Sequence, residues 1–183
     1  MKALINGTRA RVQILAGFVG SIWVVSLIGF LFNWHLGVVP RTAWGLLGMA
    51  PAPWFHANTA HLLSNTLPLL VLGWMVLLPR TSDFGEAVLG SMIGAGAAAW
   101  LLGGSHTLHF GASGLVFGFF GYVLARGIYQ RRLLELALAG AATLVYGLSM
   151  FIGLLPVFPG VSWQSHLGGA VGGFLVAKLA KEA

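Results

Sequence analysis

Residues 111–120 read GASGLVFGFF, and they join a polar loop to a long apolar segment. Ser113 lies between Gly111 and Gly114, at the point where the hydrophobic run begins. Membrane helices ordinarily begin with aromatic or basic residues, so a bare serine hydroxyl is an unusual start. A helix N-terminus also presents free N–H groups and the positive end of a dipole, which stabilise a developing oxyanion. The stretch therefore predicts that Ser113 is a nucleophile at the beginning of a helix.

The composition is that of an integral membrane protein. Of the 183 residues, 57% are hydrophobic and 8% are charged, and the mean hydropathy is +0.87, whereas about a quarter of the residues in a soluble domain are charged. The formal charge of +6 comes from basic residues scattered at predicted helix ends, which favours membrane topology over nucleic-acid binding. The absence of cysteine excludes disulfides and thiolate metal sites.

The apolar segments predict an all-α bundle of six transmembrane helices, forming a single domain over residues 1–183. The loop after the first span is rich in Trp and Pro, and its length predicts that it folds within the membrane interface. The predicted spans are residues 12–32, 60–78, 87–102, 113–130, 133–155 and 163–180.

The basic residues predict the orientation of the bundle. If both termini lie on one side, that side holds nine of the ten basic residues, and Arg41 alone lies opposite. The positive-inside rule then predicts cytoplasmic termini for a multi-pass protein, and we expect the bacterial cytoplasmic membrane. The nine basic residues are Lys2, Arg9, Arg11, Arg80, Arg126, Arg131, Arg132, Lys178 and Lys181.

Four polar residues within the predicted spans fall at similar depth near the external face. His61 and Asn65 lie four apart on one face of the second span, Ser113 opens the fourth span, and His166 lies about a turn into the sixth. We expect His166 to act as the base for Ser113. Asn65, the His61 ring and the Ser113 main-chain N–H are expected to stabilise the oxyanion.

The acidic residues cannot complete a Ser-His-Asp triad in this topology. Asp83, Glu86, Glu135 and Glu182 all fall on the cytoplasmic side. The sequence therefore predicts a Ser-His dyad in which packing orients the imidazole.

Glycine spacing predicts how the helices that carry the nucleophile and the base approach each other. Gly114 and Gly118 are four apart in the fourth span. The pairs Gly168–Gly172 and Gly169–Gly173 have the same spacing in the sixth. Small residues at this spacing permit close contact between helix backbones in lipid.

Three segments together resemble the signature of rhomboid intramembrane serine proteases. They are HANTAHLLSN at residues 56–65, GASG at 111–114 and HLGGAVGG at 166–173. The resemblance implies a Ser113 nucleophile, a His166 base and oxyanion stabilisation by His61 and Asn65. His56 also matches a family histidine, and we expect His56, Phe117, Gly111 and Gly114 to line the site. No metal or cofactor is implied, and the partners are the lipid bilayer and membrane-anchored protein substrates that enter laterally near the fifth span.

The chain departs from the family pattern at two places. Family members often stack a tyrosine on the catalytic histidine, whereas the equivalent position here is Phe117. The first loop also lacks an adjacent Trp-Arg pair, because Arg41 and Trp44 are separated, and this puts the anchoring of the loop in question.

Two other classes of function remain open from the sequence. A proteolytically inactive relative would bind transmembrane segments, although such a protein is expected to lose the serine or the histidine. A haem or metal protein would favour paired histidines on facing helices, whereas His61 and His166 accompany a serine and an asparagine. His106 and His109 are predicted to be solvated loop residues rather than ligands.

Overall fold

The computed structural model describes residues 2–182, with side chains described for residues 7–180. This part of the chain is helical, with seven α-helices and one short 3-10 turn, Ala52–Trp54. The helices are α1 (Lys2–Phe32), α2 (Ala43–Gly48), α3 (Thr59–Leu77), α4 (Asp83–Leu102), α5 (Ser113–Gln130), α6 (Leu133–Gly153) and α7 (Trp163–Glu182).

The six long helices coincide with the six predicted spans, with differences at their ends. Helix α1 begins at Lys2 rather than at residue 12, because hydropathy locates the apolar part of a helix and not its first turn. Helix α4 begins at Asp83 rather than at residue 87. Asp83 and Glu86 lie in its first turn, where negative charge stabilises the positive end of the helix dipole.

Four helices in residues 2–182 are long and apolar enough to cross a membrane, which makes the chain an integral membrane protein. They are Gly7–Phe32, Thr59–Leu77, Asp83–Leu102 and Leu133–Gly153. Helices α5 and α7 do not reach that hydropathy. Both are rich in glycine, and α5 packs against four helices and α7 against two, so much of their surface faces protein.

Helix α5 is the centre of the bundle and packs against α3, α4, α6 and α7. Its side chains are mostly buried, and Phe119 and Tyr122 are completely enclosed. Any residue at the N-terminal end of α5 is therefore held in place from several sides.

Helix α7 lies between α4 and α5 and meets each through a different pair of glycines. Gly168 and Gly172 face α4, whereas Gly169 and Gly173 face Gly114 and Gly118 of α5. A methyl group at any of these four positions in α7 would collide with main-chain atoms of the facing helix. The prediction of backbone contact between the helices that carry His166 and Ser113 therefore holds for Gly169 and Gly173, but it is wrong for Gly168 and Gly172, which meet α4 instead.

The first loop is anchored by Arg41 despite the missing Trp-Arg pair. The Arg41 guanidinium donates to the carbonyls of Gly103 at 2.8 Å and Leu101 at 3.2 Å, at the end of α4. Trp100 Nε1 donates to the Thr42 carbonyl at 2.8 Å. Because unpaired carbonyls at a helix C-terminus attract cations, one arginine fixes the loop without an adjacent tryptophan.

Two acidic residues, Asp83 and Glu135, form ion pairs at the opposite end of α5 from Ser113. Arg126 contacts Asp83 and donates to Glu135 Oε1 at 3.2 Å, and Arg80 Nε donates to Asp83 at 2.8 Å. Arg126 lies 13 residues after Ser113, about 20 Å along a helix. This buried cluster joins the beginnings of α4 and α6 to α5, and it supplies no carboxylate to the region of Ser113.

Candidate active site

Ser113 is the first residue of α5, and the loop before it is tightly held. Gly111 has φ +121°, and a Cβ there would lie 2.7 Å from His61 Cε1, so only glycine fits this turn. The Gly111 N–H donates to the Ala52 carbonyl at 2.9 Å. The Ser113 N–H has no partner among the contacts described in residues 2–182, so the first turn retains a donor near the hydroxyl.

His166 connects Ser113 with the end of α6. Ser113 Oγ lies 2.9 Å from His166 Nε2, and His166 Nδ1 lies 2.8 Å from the Gly153 carbonyl oxygen. A carbonyl only accepts hydrogen bonds, so the proton of a neutral imidazole resides on Nδ1. Nε2 is then free to accept the Ser113 proton. The sequence predicts orientation of the imidazole by packing but does not indicate the Gly153 carbonyl, since any residue type can supply a main-chain acceptor.

Phe117 stacks on the imidazole of His166. The two ring centroids are 4.0 Å apart and the planes differ by 8°. Phe117 lies one turn after Ser113 on α5, so the helix that carries the serine also supports the histidine. The ring keeps the stacking surface that a tyrosine would provide.

The stacked geometry predicts opposite results for two substitutions of Phe117. Phe117→Tyr keeps the ring, so we expect fluorophosphonate labelling of Ser113 within about 3-fold of the native rate. Phe117→Ala removes the ring and frees the imidazole, and we expect a loss of about 10- to 100-fold, as for other groups that orient a functional histidine. Mass spectrometry of the labelled protein over time provides the measurement. Full activity of Phe117→Ala would contradict a role for stacking.

His61 and Asn65 lie on the same face of α3, near its first turn. Asn58 caps the helix, accepting from the His61 N–H at 2.8 Å. Asn65 is buried, and its Nδ2 donates to the His61 carbonyl at 3.1 Å. One Asn65 N–H remains for another acceptor.

His56 lies one layer behind His61 rather than on the cavity wall. Its Nδ1 is 2.9 Å from Ser26 Oγ, and its Nε2 accepts from the Ala112 N–H at 3.2 Å. Burial, followed by the nearby charge of His61, lowers the pKa of His56 to about 4. The ring is therefore neutral near pH 7 and holds the residue before Ser113. It contributes stability above pH 6.5 that is lost as the pH falls toward 4.

His109 is half-buried and bonded rather than solvated as predicted. Its Nδ1 lies 2.6 Å from Ser162 Oγ and its Nε2 lies 2.7 Å from Thr107 Oγ1. Burial lowers the pKa of His109. The main chain of His109 also pairs with Val38, so this residue joins the first loop to the start of α7.

The four predicted catalytic residues line one cavity of about 1150 Å³. Phe117, Gly111 and Gly114 also lie on its wall, together with Met49, Met92 and Met150. No acidic residue is among its lining side chains in the described part of the chain. The arrangement offers a hydroxyl, a neutral base and hydrogen-bond donors beside an apolar space, which are the groups needed for acyl transfer.

Comparison with known proteins identifies the family. A model of the Rhomboid domain matches residues 40–182. The chain belongs to the rhomboid family. The match contains the site residues from His56 to His166, whereas the whole of α1 precedes it, including the Ser26 that contacts His56.

Relatives of this rhomboid occur in bacteria and plants. An uncharacterised protein of Mycobacterium tuberculosis is 40% identical over 173 residues, covering 88% of this chain and 72% of the relative. A Mycobacterium leprae protein, also uncharacterised, is 40% identical over 173 residues, covering 88% and 68%. RHOMBOID-like protein 4 of Arabidopsis thaliana is 33% identical over 133 residues, covering 67% and 31%. No solved structure gives a significant match.

The described residues of this rhomboid contain no group of three or more His, Asp or Glu placed to hold a metal ion. The histidines near Ser113 instead contact serines, main-chain groups and aromatic rings. Each of these histidines therefore takes part in hydrogen bonds or in ring contacts.

Proposed function

We propose that this rhomboid is an intramembrane serine endopeptidase that uses Ser113 and His166 as a dyad. The observation that carries the proposal is the 2.9 Å contact between Ser113 Oγ and His166 Nε2. The Nδ1–H tautomer leaves Nε2 able to accept the serine proton, as a general base must. Membership of the rhomboid family supports the same assignment.

Peptide cleavage would proceed in two acyl-transfer stages. Ser113 Oγ attacks the scissile carbonyl carbon while its proton moves to His166 Nε2. The C–N bond then breaks, and His166 returns the proton to the leaving amine, which gives an acyl-serine and the first product. A water attacks the ester, its proton again passes to His166, and collapse releases the carboxylic product and restores the serine hydroxyl.

The oxyanion of each tetrahedral intermediate requires donors on the side opposite the base. The Ser113 N–H, the remaining Asn65 N–H and the His61 ring are the proposed donors. His61 and Asn65 line the same cavity as Ser113, and the Ser113 N–H belongs to the positive end of α5. An enclosed site of low dielectric strengthens such hydrogen bonds.

The proposed substrates are membrane-anchored proteins that reach the site from the lipid. We propose six membrane-spanning helices, of which α5 and α7 cross the membrane while packed against the other helices. Leu144 and Leu148 of α6 are 88% and 74% exposed, as expected of a lipid-facing helix beside a lateral entrance. The charge distribution supports cytoplasmic termini and a site toward the external face, and the proposed location is a bacterial inner membrane.

The proposal is tested by incubating the protein in proteoliposomes with a panel of single-span substrates. We expect specific cleavage within or near the transmembrane segment by the native protein and none by Ser113→Ala. Loss of one hydroxyl at a helix start changes packing little, so unchanged thermal unfolding of Ser113→Ala is the control. Binding of substrates without cleavage would instead support the alternative, an inactive relative that recognises transmembrane segments. Cleavage by Ser113→Ala would contradict the proposed nucleophile.

A further inference from the structure

Helix α6 reaches the dyad through the main chain of its last residue, Gly153. The Gly153 carbonyl is the acceptor for His166 Nδ1 at 2.8 Å. A Cβ at Gly153 would lie 2.6 Å from Phe117 Cζ and 3.5 Å from His166 Nδ1. The end of α6 is therefore in close contact with both members of the stacked pair.

Away from Gly153, helix α6 has few buried residues and few polar contacts with the rest of the bundle. Its buried residues are Glu135, Ala142 and Met150, and it packs chiefly against α5. Glu135 contacts Arg126 near the first turn. With 21 residues, α6 is about 30 Å long. One ion pair at its beginning and the His166 contact at its end are thus its principal polar attachments.

We propose that the Gly153 carbonyl positions the His166 imidazole of the dyad. His166 can then act as the base for Ser113 only when α6 is packed against it. The inference rests on the proposed function. In a Ser-His-Asp triad a carboxylate holds the proton on the outer ring nitrogen, and here no acid lines the cavity in the described residues. When α6 lies against Phe117 and His166, the carbonyl keeps the proton on Nδ1 and Nε2 faces Ser113. When α6 moves away, the tautomer is no longer fixed, and Nε2 can carry the proton.

The test compares two Gly→Ala substitutions on α6. Gly153→Ala places a methyl group against Phe117, whereas nothing lies within 4 Å of a Cβ at Gly140. Gly140→Ala is therefore a matched control on the same helix. The tautomer of His166 is read from ¹⁵N shifts of histidine-labelled protein, with its signals assigned by their loss in His166→Ala. The rate of fluorophosphonate labelling of Ser113 is measured on the same samples.

We expect Nδ1-protonated His166 in the native protein and in Gly140→Ala. In Gly153→Ala we expect a substantial Nε2-protonated fraction and labelling slowed by about 10- to 100-fold. Unchanged tautomer and rate in Gly153→Ala would overturn the proposal. A changed tautomer with an unchanged rate would also overturn it, because the carbonyl would then have no part in positioning the base.

A second variant acts at the far end of α6 and leaves the site intact. Glu135→Gln weakens the contact with Arg126, and Glu86→Gln is its matched control, because Glu86 is exposed on α4. We expect Glu135→Gln to shift the tautomer partly and slow labelling by about 3-fold. If Gly153→Ala does not fold, the proposal is overturned when Glu135→Gln has the same His166 tautomer and the same labelling rate as Glu86→Gln. Failure of the proposed function has a different signature, since Ser113 of the native protein would not react at all while the tautomer remains measurable.

Discussion

Replacing His166 with alanine should slow fluorophosphonate labelling of Ser113 on the order of 10⁴-fold, as expected when a serine loses its base. The Ser113 hydroxyl remains in place but has no group to accept its proton, and no acid lines the cavity in the described residues. Labelling of the native protein should also weaken at acidic pH, because a protonated imidazole no longer serves as a base. Mass spectrometry of the labelled protein locates the adduct and gives its rate.

The chain provides a matched control for this experiment. His109 and Ser162 form a second Ser-His contact, at 2.6 Å, but Ser162 also donates to Ser165. We expect His109→Ala to leave the labelling of Ser113 near the native rate and Ser162 to remain unmodified. An adduct on Ser162, or equal labelling with and without His166, would show that Ser113 and His166 are not the reactive pair.

Replacing Asn65 with alanine should slow proteolysis by about 10²–10³-fold, the usual cost of one oxyanion donor. The donor acts mainly on the charged intermediate, so the fold and the final extent of serine labelling should be retained. Ser64→Ala is the control, because Ser64 is exposed on the same helix and donates to the His61 carbonyl. Turnover is measured on one transmembrane substrate. An unchanged rate in Asn65→Ala would remove this side chain from the mechanism and leave His61 as the side-chain donor.

The sequence contained most of the information about the helices, because apolar length and glycine spacing act locally. Predicted and observed boundaries agree for α5, whose start is marked by the change from GAS to an apolar run. The spacing of both glycine pairs in α7 predicted its contact with α5, although only Gly169 and Gly173 make that contact. The sequence did not reveal that Gly168 and Gly172 contact α4 in the same way, since spacing identifies a small-residue face but not the helix that it meets.

The orienting contacts of the site were not predictable from side-chain patterns. The Gly153 carbonyl carries no residue-specific signal, and its approach to His166 depends on the path of the chain between α6 and α7. His56 belongs to the motif, but its role depends on Ser26, which lies 30 residues earlier. The first loop gives the opposite case. Its missing Trp-Arg pair put the anchoring of the loop in question, whereas Arg41 is held by carbonyls at the end of α4.

The position of α7 between α4 and α5 has a consequence for biosynthesis. Helices α5 and α7 are not among the four described helices apolar enough to cross a membrane, so in the proposed six-span arrangement their integration would depend on helices already in the bilayer. Ser113 emerges from the ribosome well before His166, and the two meet only when α7 enters the gap between its neighbours. A nascent chain that ends before α7 carries the serine without its base. If Ser113 and His166 form the proposed dyad, the order of synthesis therefore keeps an incomplete chain from cleaving other proteins in the membrane during insertion.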